Sequence, residues 1–198
     1  VSLAMATQAQ LGLPPILEAG LLLIFLSTLA DYNLHRLLAV YNKTHETQSD
    51  KLSWAAGHMR LLKILVAGAS AGLAVSMFFV KTSVISLLVP LAMFSFLYSI
   101  ATRFKLRSVA WLMKVPGTKT IILALVWAAA TVFIPVLQAQ IPISEGRVLL
   151  VFIQRLIFIF AIAIPFDIRD MDADSRAGIK SIPASFGTKK ALLICNLA

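Results

Sequence analysis

Four aspartates crowd the string Asp167-Ile-Arg-Asp-Met-Asp-Ala-Asp174. At about 100° per residue on a helix, Asp167, Asp170 and Asp174 fall within about 60° of one another, while Asp172 turns to the opposite side with Arg169 and Arg176. Carboxylates stacked in this way repel, at roughly a few tenths of a kcal/mol per pair, so a merely solvated helix gains nothing from the pattern. A divalent cation reverses the sign. Hard oxygen ligands suit Mg²⁺, which takes one or two carboxylates and completes its octahedron with water and phosphate oxygens. The string therefore predicts a metal site for a phosphorylated substrate; its plainer reading is a charged segment marking a membrane boundary. A second string, Ser27-Thr-Leu-Ala-Asp31-Tyr-Asn-Leu-His35-Arg36, places Asp31 and His35 one turn apart on one helix face, with Asn33 pointing away. Ionisable residues at the end of a span serve either a site or an interfacial anchor.

The elements that must position these residues are apolar. Of the 198 residues 59% are hydrophobic and 14% are charged, too few charges to cover a water-soluble domain. Runs of about 17 to 25 largely uncharged residues match a hydrocarbon core about 30 Å thick. Five such runs are present, at 11–30, 64–80, 83–101, 120–137 and 148–165. Pro14, Pro15 and Glu18 interrupt the first near its start, Pro90 is a kink position in the third, and the fifth carries Arg155 as an interior charge. The runs are apolar on every side, so a barrel of alternating strands is excluded in favour of an all-α polytopic bundle. Residues 1–10 and 191–198 read as parts of further spans, which makes 1–198 one transmembrane domain excerpted from a longer protein, with about five complete spans and partial ones at both ends. No cleavable signal peptide is expected. Cys195, the single cysteine, permits no intrachain disulfide and reads as a small helical residue.

Five crossings place the connectors on alternating sides. Every Lys and Arg except Lys81, Arg147 and the intramembrane Arg155 falls on the side reached after the first span, here side A. The positive-inside rule makes side A cytoplasmic, consistent with a bacterial inner membrane. Basic residues there meet topology alone, anionic headgroups, or an anionic substrate. No nucleic-acid module accompanies them, so nucleic acid is not an expected partner. All acidic residues except Glu18 and Glu145 also lie on side A, both strings included.

The longer string Asp167-Ile-Arg-Asp-Met-Asp-Ala-Asp-Ser-Arg-Ala-Gly-Ile-Lys-Ser-Ile-Pro-Ala-Ser-Phe-Gly187 resembles the second aspartate-rich motif of the UbiA family of intramembrane prenyltransferases, with its following Gly, Pro and Gly. The family's first motif, N-x-x-x-D, corresponds to Asp31-x-x-x-His35-Arg36, where Asp replaces the usual Asn and His the usual metal-binding Asp. The order of parts is similar over roughly 11–198. Tyr98 and Arg103 are similar in spacing to a family tyrosine and arginine, although Thr102 stands where a lysine is common.

The resemblance implies Mg²⁺-dependent transfer of an isoprenoid chain from its diphosphate to a lipophilic, often aromatic acceptor within the membrane. It implies Asp170 and Asp174 as principal catalytic metal ligands, assisted by Asp167 and Asp31. It also implies Arg36, Tyr98, Arg103, Arg107, Lys114, Lys119, Arg176 and Lys180 as substrate-binding candidates. Imidazole is a poor ligand for so hard an ion, so His35 leaves Asp31 to serve the first motif alone. Quinone precursors, haem, chlorophyll-like rings and lipids are all acceptors in the wider family. Two alternatives compete. A CDP-alcohol phosphotransferase also uses D-x-x-x-D at a membrane face, but its D-G-x-x-A-R opening is absent. A transporter or non-catalytic membrane protein would give Arg155 the leading role.

Overall fold

The structure is a computed structural model that describes residues 1–41, 50–104, 115–177 and 180–197, with the backbone alone described at 50–52, 95–104, 173 and 176–177. Among the described residues every regular element is a helix. They are α1 (Ser2–Gln10), α2 (Ala19–Tyr41), α3 (Asp50–Gly57), α4 (Met59–Ser76), α5 (Thr82–Phe104), α6 (Thr118–Gln138), α7 (Gly146–Arg169), α8 (Met171–Ala177), α9 (Ile182–Phe186) and α10 (Thr188–Leu197). Four of these, α2, α4, α6 and α7, are long and apolar enough to cross a membrane. The remaining expected span, 83–101, falls within α5, whose 23 residues rise about 34 Å and whose stretch Thr82–Phe94 is apolar. The helix of α5 runs on through Pro90.

The first span departs most from expectation. Pro14 and Pro15 hold 13–18 outside any helix, so α2 starts at Ala19 and continues past Ala30 to Tyr41. Asp31 and His35 thus lie one turn apart on a helix face, as their spacing predicts, but on a helix that begins and ends later than the run. The chain tolerates this because Asp31 and His35 sit on the exposed side of α2, while Asn33 and Leu37 take the buried side. Asn33 donates its amide N–H to the Leu29 carbonyl at 2.7 Å, satisfying itself within the helix.

Packing fixes which ends lie together. A Cβ added at Gly20, near the start of α2, would stand 2.9 Å from the Ile134 side chain near the end of α6. Leu21, Leu23, Ile24, Val80, Val84 and Ile134 form one core cluster there, and Lys81 donates its backbone N–H to Gln138 Oε1 at 3.3 Å. This is the side B end. At the other end Leu37, Ala55 and Leu62 join α2, α3 and α4. Counting back along α6 from Ile134 to Thr120, and up along α2 from Gly20 to Leu34, covers the same rise of about 21 Å. The α6 and α7 helices pack antiparallel, Val132 and Val136 meeting Val148 and Val151, and Ala124 and Ala128 meeting Ile159. Thr120, Asp167 and the Asp31–Arg36 turns therefore share the side A end.

Two local features shape α7 and its neighbours. Pro165 has no N–H to give the Ala161 carbonyl, and Cys195 of α10 donates its S–H to that oxygen at 3.3 Å. The α10 helix thus turns back along α7, with Ile164, Ile182 and Ala191 as its core. Arg155, 6% exposed, donates to Thr7 Oγ1 and Gln10 Oε1, both at 3.2 Å, and so pairs α7 with α1 inside the bundle.

Gly117 sets the entry to α6. Its φ of 81° is left-handed, and an added Cβ would lie 2.8 Å from Ile182 Cγ1. Its N–H donates to the Lys180 carbonyl at 3.2 Å, tying the start of α6 to the segment after α8. Gly117→Ala is expected to cost about 1–3 kcal/mol through strain and overlap, lowering the melting temperature in detergent. Gly68→Ala, at an open helical position, is expected to leave it unchanged or raise it. Equal melting temperatures for the two variants would contradict this account of the turn.

Candidate functional site

The last turn of α7 and the short α8 carry the second acidic string, and the first turn of α6 lies against them. The α7 helix ends at Arg169, and Asp170 adopts φ −94°, ψ 7° before α8 begins. The helical path nevertheless persists: the Asp170 N–H donates to the Phe166 carbonyl and the Asp174 N–H to the Asp170 carbonyl, each at 2.9 Å. This near-continuity stacks Asp167, Asp170 and Asp174 along one side of the backbone.

Their side chains divide into two groups. Asp174 accepts two charge-assisted hydrogen bonds from Lys119 Nζ, at 2.9 Å to Oδ1 and 2.8 Å to Oδ2. The same ammonium lies 3.7 Å from Asp167 Oδ1, and Asp167 Oδ2 accepts from the Thr120 hydroxyl. The Asp167 and Asp174 side chains are only 6% and 10% exposed, and Lys119 is 29% exposed. Two carboxylates are thus held nearly dry around one ammonium. That arrangement persists only because charge and hydrogen bonds are supplied together. Asp170 instead receives Arg169 Nε at 2.7 Å and Nη2 at 3.0 Å, a fork facing the exposed side. Asp172 is exposed, as helical geometry predicts.

The first string lies on α2, at the same end of the bundle. His35 Nε2 lies 3.4 Å from Asp31 Oδ1, with the Asp31 side chain 73% exposed. Arg36 donates to the Tyr32 hydroxyl at 3.0 Å, stacks 4.5 Å over that ring, and lies 6.0 Å from the Trp54 ring centroid.

Of the other sequence-derived residues, Lys180 is exposed beside the Gly117 turn. Tyr98 and Arg103 lie on the last turns of α5, and Arg176 on α8, where only the backbone is described. Arg107 and Lys114 lie outside the described residues. Sequence reasoning passed over Thr120. Its only signal is a hydroxyl beside Lys119 at the mouth of an apolar span, and it is 1% exposed.

The donor set fits a hard cation. Among the described residues no three Asp, Glu, His or Cys side chains converge on one point. Mg²⁺, however, asks protein for only one or two carboxylates when phosphate and water complete its shell. The position between Asp167 and Asp174 is one a cation favours, and the Lys119 ammonium stands in it.

No curated protein and no solved structure gives a match to this chain. A family model does, over residues 2–198, and it is that of the UbiA prenyltransferase family. Four apolar helices, two acidic strings at one end of the bundle and that match agree: the chain is an integral membrane protein that belongs to the UbiA prenyltransferase family.

Proposed function

We propose that this chain transfers an isoprenoid group from its diphosphate to a lipophilic, aromatic acceptor, at a site facing the cytoplasm of a bacterial inner membrane. The observation that carries the reading is the convergence of buried Asp167 and Asp174 on Lys119 at the side A end of an apolar bundle. Water-soluble diphosphate reaches that end from the aqueous phase, while the prenyl chain and acceptor approach through lipid.

In this reading Asp174 and Asp167 would hold Mg²⁺, with the more exposed Asp170 and Asp31 as candidate further oxygen ligands. Bound Mg²⁺ would supply charge neutralisation for the departing diphosphate. The remaining work falls to the protein. Lys119, Lys180 and Arg36 offer cations to the phosphate oxygens, joined by Arg103, Arg107, Lys114 and Arg176 as candidates from the same basic face. Tyr98 is a candidate for the substrate wall. The allylic C–O bond breaks with its electron pair leaving on diphosphate, the acceptor attacks the resulting allylic cation, and a proton leaves the acceptor. Fixed positive charge aimed at the leaving group is the main source of rate.

The test is incubation of the membrane protein with radiolabelled isoprenoid diphosphates of several chain lengths, Mg²⁺ and extracted membrane lipids. A labelled lipophilic product that disappears on chelation is expected, and its identification names the acceptor. Unlabelled lipid under every chain length would overturn the reading. Orientation has its own check: single cysteines placed at 105–119 are expected to react with an impermeant reagent only from the cytoplasm. Labelling from outside intact cells would reverse the topology.

A further inference from the structure

Lys119 engages both oxygens of Asp174, at 2.9 Å and 2.8 Å, on a carboxylate only 10% exposed. A divalent ion bound to the same oxygens would meet the ammonium at close range, and two cations crowded onto one buried carboxylate repel. From this geometry we propose that Lys119 is a tethered counter-ion that competes with the divalent cation for Asp174. The second acidic string then accepts metal together with diphosphate in preference to metal alone. The inference rests on the reading that Asp174 holds the metal.

Three features support the exchange. Lys119 is partly exposed and carries its charge on a flexible four-carbon stem, so the ammonium has room to leave Asp174. Asp167 keeps its bond from the Thr120 hydroxyl, so that carboxylate stays in position when the ammonium moves. An arriving diphosphate is itself anionic and gives the displaced ammonium a new partner beside the old one. Lys119 therefore does two things in turn. It keeps Asp167 and Asp174 from facing each other as bare buried charges, and then it turns its charge toward the leaving group. Binding reciprocity makes the metal and the diphosphate raise each other's affinity through this side chain.

The experiment is a Mn²⁺ titration of the full chain in detergent, read by electron paramagnetic resonance and by melting temperature. Lys119→Met, which removes the charge and keeps much of the stem, is expected to bind Mn²⁺ about tenfold or more tightly than the wild type without diphosphate. Lys119→Arg, which keeps a cation there, is expected to bind it no more tightly than the wild type. In the wild type, Mn²⁺ with inorganic pyrophosphate should raise the melting temperature well beyond Mn²⁺ alone; in Lys119→Met, Mn²⁺ alone should give most of that rise. A Lys119→Met protein with wild-type or weaker Mn²⁺ affinity overturns the competition. So does a Lys119→Met protein too unstable for titration whose melting temperature Mn²⁺ fails to restore. The double variant Lys119→Met/Asp174→Asn separates this from the reading beneath it: loss of Mn²⁺ binding is expected, and retention would show that Asp174 is not the metal's ligand.

Discussion

Asp174→Asn is expected to lower prenyl transfer by about a hundredfold or more, with the protein still inserted and folded in the membrane. The substitution removes the charge that two contacts from Lys119 and a bound cation would share. A loss of about 3 kcal/mol of stabilisation at the departing diphosphate corresponds to a factor of about a hundred in rate. Asp172→Asn, at an exposed position on the first turn of α8, is expected to keep most of the activity. Asp170→Asn should fall between them, since its carboxylate already pairs with Arg169 at the rim. The ranking is measured as initial rates on purified variants at saturating Mg²⁺. Equal sensitivity of all three would contradict the division of side chains between the inner and outer groups.

The second large effect is expected at Asp167. Its carboxylate is 6% exposed and accepts from Thr120 while lying 3.7 Å from Lys119. Asp167→Asn keeps an oxygen for the Thr120 hydroxyl but removes the negative charge, and it is expected to cut the rate by about tenfold to a hundredfold. Thr120→Val does the converse. It keeps the charge and leaves a buried carboxylate short of one donor, which is expected to cost about 1–3 kcal/mol of stability with a smaller loss of rate. Comparing kcat with melting temperature for the pair separates the two roles. Full activity in Asp167→Asn would reduce Asp167 to a structural partner of Thr120.

Apolar runs were legible because a lipid-crossing helix writes its length directly into composition, and α4, α5, α6 and α7 begin within a few residues of where the runs place them. The first span was not so legible. Two adjacent prolines delay α2 to Ala19, and Asp31, His35 and Arg36 do not end it, since a charge on an exposed helix face breaks no backbone hydrogen bond. In the acidic string, helical periodicity placed Asp172 apart from the other three. It had no means of showing that Asp167 and Asp174 turn inward while Asp170 turns to Arg169.

That division depends on α6, whose Lys119 and Thr120 lie 55 and 47 residues from their aspartate partners. In the sequence Lys119 is one basic residue among many on a face that topology alone makes basic. Packing against α7 sets it apart. Arg155 is the reverse case: its place inside an apolar run marked it at once, yet its partners Thr7 and Gln10 come from the far end of the chain.

The most direct measurement of the central claim follows both parts of the donor molecule. An isoprenoid diphosphate carrying ¹⁴C in the prenyl chain and ³²P in the diphosphate is given to the membrane protein with Mg²⁺ and acceptor lipids. Prenyl transfer breaks the C–O bond, so ¹⁴C should enter the lipid product and all released ³²P should leave as pyrophosphate, both about a hundredfold or more slower in Asp174→Asn. Entry of ³²P into the lipid product would mark a phosphotransferase instead. Absence of ¹⁴C product, or equal ¹⁴C product from Asp174→Asn, would contradict the account.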